Sequence, residues 1–259
     1  MDRITDDLKR PLVDLLLSIA DDKFILGHRN ADWTGLAPML EEDIAFSSLA
    51  QDEIAHATAL YQMAAGILGT TADKLAFRRT PEEYRCATIV EMSDDFNWAT
   101  AICRNFFCDH FDLLRLERLT NSAYTALAQL AGRLAAEEKI HVDHVDSWMI
   151  RLGRGWEPAP ARVQAALNEL AEIAPTLLEP PPGLEKLEKA GIYPQSRSGL
   201  FEPWRDVLHD VVQSAGLTLQ LHPPSPSAIG GRQGKHGPGF VTMLDELTEV
   251  FRIEPEAAW

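Results

Sequence analysis

Asp52-Glu53-Ile54-Ala55-His56 and Glu137-Glu138-Lys139-Ile140-His141 are two copies of one pattern, acid-Glu-x-x-His, 85 residues apart. A carboxylate and an imidazole three positions apart on a helix share a face and can reach one target. A single Glu-x-x-His is common in helical proteins and says little. Two of them, on two helices of one bundle, are four of the six ligands of a carboxylate-bridged di-iron or di-manganese centre. In such a centre carboxylates bridge and charge-balance the metals, and imidazole completes the coordination.

The full set takes one more acid from each of the other two helices. In the second half Asp109 lies 29 residues before Glu138 and completes that half. In the first half the matching offset lands on Phe24 or Lys23. Phe24 has no donor atom, and Lys23 ligates only as a neutral amine. Asp22 is one residue away, a rotation of about 100°, and serves only if the helix is turned or its register shifts. The candidate metal ligands are therefore Asp22, Glu53, His56, Asp109, Glu138 and His141. The competing expectation concerns Lys23. Its ammonium, buried among Glu53, Glu138 and Asp109, supplies positive charge where metals would otherwise sit, as a metal-replacing salt bridge. The cofactor is then none, or iron as a di-iron pair if the site is intact. His28, His110 and His144 are expected to support or flank the site, with His144, on the face of His141, nearest to an additional ligand. Asp52 and Glu137 are expected to orient neighbouring groups or to face solvent. Trp98, Phe106, Phe107 and Phe111 read as core.

Four long helices must carry these residues. Apolar residues at three- and four-residue spacing predict helices over 6–30 and 38–68, and then from about 97 to 119 and from about 122 to 152. Each pair is joined by a short turn, the second at Asn121-Ser122, and the pairs by a longer crossover over 70–95 with a short helix after Pro81. That connectivity predicts an all-α, ferritin-like four-helix bundle. Residues from about 153 to 259 read as a C-terminal helical extension of one domain. Within it, helices are expected over Ala161–Ala174, Pro203–Ala215 and Phe240–Arg252. Gly230-Gly231-Arg232-Gln233-Gly234-Lys235-His236 is a basic, glycine-rich loop in an acidic chain. It reads as a mobile segment. Arg232, Lys235 and His236 either contact a phosphorylated ligand or a partner subunit, or belong to a disordered connector.

The net charge of −15 argues against nucleic acid and anionic membranes as partners. No apolar run approaches the roughly 18 residues of a membrane helix, and the acidic start of the chain does not resemble a signal peptide. Cytoplasmic residence is the expectation. Three cysteines without a CxxC indicate neither a disulfide framework nor a zinc site.

The run Gly27-His28-Arg29-Asn30-Ala31-Asp32-Trp33-Thr34-Gly35-Leu36-Ala37-Pro38-Met39-Leu40-Glu41-Glu42-Asp43-Ile44-Ala45 resembles the phenylacetyl-CoA epoxidase family of PaaA/PaaC type. The glycine-rich loop and closing helix resemble its PaaC branch. The resemblance implies a ferritin-like subunit of a multicomponent oxygenase acting on an aromatic acyl-CoA in phenylacetate catabolism. It implies a PaaA-type catalytic subunit and other oxygenase components as partners, in a homo- or hetero-oligomer, with a CoA thioester as candidate ligand. In that family the PaaA-type subunit holds the di-iron site, and the PaaC-type subunit is a scaffold without a working one. This chain keeps both Glu-x-x-His pairs and Asp109, but has Lys23 ten residues before Trp33, where the first-helix acid belongs. The scaffold role is the expected one. The alternative is a catalytic di-iron oxygenase subunit, and a metal-storage ferritin-like protein is the least favoured reading.

Overall fold

The first helix, α1 (Asp6–Ala31), is buried on every side from Pro11 to Gly27. A helix that is buried all round must be covered on all faces, and the rest of the chain does this for α1. The computed structural model describes residues 4–93, 95–194, 197–223 and 229–254. Among them the elements are helical: α1, α2 (Leu40–Leu68), α3 (Ala72–Phe77), α4 (Thr88–Glu91), α5 (Trp98–Leu119), α6 (Thr125–Gly153), α7 (Ala159–Ala171), α8 (Leu184–Lys189), α9 (Phe201–Ser214), α10 (Phe240–Leu247) and α11 (Glu249–Ile253), with short 3-10 turns between some of them. Helices α1, α2, α5 and α6 form the ferritin-like bundle. α1 packs along α2, and α5 along α6. No helix among the described residues is long and apolar enough to cross a membrane.

Local chemistry sets the ends of these helices. Asp6 and Asp7 lie in the first turn of α1, and His28 and Arg29 in its last, each favourable to the helix dipole. Gly69 ends α2 with φ +69°, a left-handed cap that suits glycine. The Asn97 side chain caps α5 by accepting from the Ala99 N–H. α6 starts three residues later than the sequence predicts. The Ser122 hydroxyl accepts from the Tyr124 N–H and donates to the Ile192 carbonyl, so it ties the turn to the extension.

Gly27 lets α1 and α2 approach closely beside the Glu-x-x-His pair. A Cβ there would stand 2.8 Å from Ile54 Cγ1 and 3.1 Å from Glu53 Cβ. On the outside, α7 and α9 lie on α5 and α6, and α8 lies on α1. Trp204 of α9 is fully buried and donates its indole N–H to the Phe107 carbonyl. Phe106, Phe107 and Phe111 are buried in the same core.

The glycine-rich loop is docked, contrary to the expected mobile segment. It packs against the crossover. A Cβ on Gly231 would collide with the Cys86 carbonyl oxygen, and one on Gly234 (φ +78°) with that of Glu82. The glycines are there for backbone contact. Past the loop, the expected closing helix divides at Thr248, whose hydroxyl donates to the Leu244 carbonyl.

Candidate metal centre

Asp21, Asp22 and Lys23 are consecutive, fully buried and charged. Steps of about 100° send them in three directions. Asp21 accepts from the Tyr61 hydroxyl, the Arg79 guanidinium and the Arg85 N–H. Asp22 receives both guanidinium nitrogens of Arg232, at 2.7 and 2.6 Å, together with the Ala87 N–H at 2.8 Å and Arg115 at 3.3 Å. Lys23 alone points into the bundle.

The Lys23 ammonium sits 2.7 Å from Glu138 Oε2, 2.9 Å from Asp112 Oδ2 and 3.0 Å from Glu53 Oε2. The partners therefore differ from the expected trio in one member: Asp112 takes the place given to Asp109. Asp112 is three residues after Asp109 on the same face of α5. That spacing is the sequence signal that would have found it. Arg115 binds Asp112 and bridges to Asp22. An alternating chain of buried charge thus runs Lys23, Asp112, Arg115, Asp22, Arg232, from the bundle centre to the C-terminal loop.

Around the ammonium, Glu53, Asp109, Glu138 and His141 bring donor atoms within 4.8 Å of one another, all buried. His141 donates from Nδ1 to Glu53 Oε1 at 3.1 Å. The acids that precede the two motifs cross over. His56 of α2 binds Glu137 of α6 at 2.6 Å, and Asp52 of α2 lies 3.6 Å from His141 Nε2 of α6. The two imidazoles stack, with centroids 5.8 Å apart. Both acids are half-exposed, so each histidine bridges the buried cluster and the surface.

Charge is unevenly divided. Burial opposes the Lys23 charge, but Asp112, Glu138 and Glu53 outweigh it and hold the ammonium well above its ordinary value. Glu53 shares the same burial, yet Lys23 and the His141 hydrogen bond hold it ionised, down at about 2. Glu138 has one oxygen without a partner, and burial pushes it up to about 7 despite Lys23. Burial and the Glu138 charge push Asp109 well up. For His141 the Glu53 hydrogen bond and the surrounding carboxylates overcome burial and raise it to about 10. His56 is lowered by burial and by Lys23.

These residues do not fit a two-metal centre. The ammonium lies on both glutamates that would bridge the metals. Asp22, the only first-half substitute, is turned away and saturated by Arg232, Arg115 and the Ala87 N–H. Glu138 Oε1, Asp109 Oδ1 and His141 Nε2 lack hydrogen-bond partners, but the glutamates of the group already share the Lys23 ammonium. The other histidines stand apart. His144 donates to Glu42, which also accepts from the Trp148 indole. His110 pairs with Asp146. His28 packs edge-on against Phe24, and burial lowers it to about 4.

The C-terminal trio is also divided. Arg232 is 1% exposed and spends its guanidinium on Asp22 and the carbonyls of Ser18 and Arg85, so it offers nothing to a CoA phosphate. Lys235 is exposed. His236 faces inward onto Glu91.

The family model for phenylacetic acid catabolic proteins matches residues 1–259. The chain belongs to the PaaA/PaaC family of phenylacetic acid catabolic proteins. The C component of the 1,2-phenylacetyl-CoA epoxidase of Escherichia coli (strain K12) is 27% identical over 244 residues, which is 94% of this chain and 97% of that protein.

Proposed function

We propose that this chain is a PaaC-type scaffold subunit of a multicomponent phenylacetyl-CoA epoxidase, pairing with a PaaA-type catalytic subunit in phenylacetate catabolism. One observation carries the reading: the Lys23 ammonium binds Glu53, Glu138 and Asp112 where a di-metal set would need a ligand acid and two cations. The likeness to the C component of the Escherichia coli epoxidase, over nearly the full length of both chains, supports the same role. In this reading the ion network stabilises the bundle, and the chain contributes shape and contact rather than oxygen chemistry.

The catalytic alternative rests on the convergence of Glu53, Asp109, Glu138 and His141. Co-expression with a PaaA-type chain separates the two readings. The scaffold role predicts a stable complex whose epoxidase activity survives Glu138→Gln in this chain within about threefold. Loss of activity with an intact complex would favour the catalytic role. Failure to form the complex would overturn the scaffold reading.

A further inference from the structure

A second group of metal-ligating side chains lies outside the lysine cluster, where the crossover meets the C-terminal loop. Cys86, Glu91 and His236 place a sulfur, a carboxylate oxygen and an imidazole nitrogen within 4.8 Å of one another. The thiol is fully buried, and the Glu91 and His236 side chains are 5% and 4% exposed. Cys86 Sγ is 3.8 Å from Glu91 Oε1 and 3.7 Å from His236 Nδ1, and Nδ1 is 2.7 Å from Oε1. We propose that Cys86, Glu91 and His236 form a binding site for one divalent ion of zinc type.

The chemistry of the set fits. Zinc takes thiolate, imidazole and carboxylate together at about 2.0–2.3 Å, in a tetrahedron. The sulfur–nitrogen and sulfur–oxygen edges of that tetrahedron are about 3.5–3.6 Å by those bond lengths, close to the separations found here. The nitrogen–oxygen edge must open by about half an ångström, as the ion replaces the hydrogen bond. Thiolate and carboxylate together neutralise the dication. On binding, the Cys86 proton is released to solvent and the His236 proton moves to Nε2.

The donors are held in place by groups around them. The Gly237 N–H donates to Glu91 Oε2 at 2.9 Å and fixes the carboxylate. Phe240 stacks on His236 with centroids 3.9 Å apart and fixes the ring plane. Supports of this kind orient metal ligands. A cavity of about 500 Å³ lined by Glu91, Gly237 and Phe240 lies on the Glu91 side of the set, and a water would complete the four ligands. Glu91 belongs to the crossover and His236 to the loop, so the ion would clip the extension to the bundle. The site is independent of the assembly role proposed above.

The test is cobalt and zinc binding to the full chain. Co²⁺ titration is expected to give a thiolate-to-cobalt absorption band that saturates at one equivalent. Zn²⁺ should displace it and raise the melting temperature. Cys86→Ser and Glu91→Gln should each lose the band, and Cys86→Ser should lose the zinc-dependent shift. Chelation of the natural protein followed by zinc addition gives the same reading without a variant. Cobalt bound without a thiolate band, a band that survives Cys86→Ser, or binding well below one equivalent would overturn the proposal.

Discussion

At the scale of residues, an ammonium held among three buried carboxylates is a problem of buried charge. Removing one partner of a buried ionic group typically costs about 3–5 kcal/mol, because the others are left unpaired. Lys23→Met keeps the length of the side chain and deletes the charge. It is expected to lower unfolding stability by about 3–5 kcal/mol in urea titration; a loss under about 1 kcal/mol would mean that the carboxylates simply protonate. His141 makes a pH-dependent contribution. Its folded value is raised to about 10 from 6.5, so its stabilisation is full below 6.5 and is lost as pH rises toward 10. Glu53 has the opposite sign. Its contribution holds above 4.5 and is lost as pH falls toward about 2. The stability difference between the natural protein and His141→Gln should therefore shrink by a few kcal/mol between pH 6.5 and 10. Thermal melts in steps of pH would show it, and a difference that does not vary with pH would refute the ionised imidazole.

At the scale of elements, close helix approach places the motifs. Gly27→Ala puts a methyl 2.8 Å from Ile54 Cγ1 and against Glu53 Cβ. It is expected to cost about 1–3 kcal/mol by overpacking, measured by chemical denaturation, despite the better helix propensity of alanine. The four bundle helices were legible in the sequence because their apolar spacing is local and sustained. The six-residue helices α3 and α8 were not, since a single turn carries no period to read. The glycine-rich loop shows the limit most clearly. Gly231 and Gly234 read as freedom along the chain, but their reason lies in the carbonyls of Cys86 and Glu82, far away in sequence. In the site, the inward position of Lys23 was legible from offsets, and so was the rotation of Asp22 off that face. Arg232 as the partner of Asp22, 210 residues away, had no local signal.

At the scale of the whole molecule, the extension completes the bundle. It covers the outer side of α1 and anchors there through the Arg232–Asp22 pair. Arg232→Met should expose the loop, so limited proteolysis between residues 229 and 240 should quicken by about tenfold while the bundle core resists; equal cleavage rates would show that the loop is held by its glycine contacts alone. The same buried chain of charge links this anchor to Lys23, on which the proposed scaffold role rests. The most direct test of that claim is iron content per chain after anaerobic loading, measured on the natural protein beside Glu53→Gln. No iron pair is expected in either. Two irons per chain in the natural protein, lost in Glu53→Gln, would contradict the proposed scaffold role and favour the catalytic alternative.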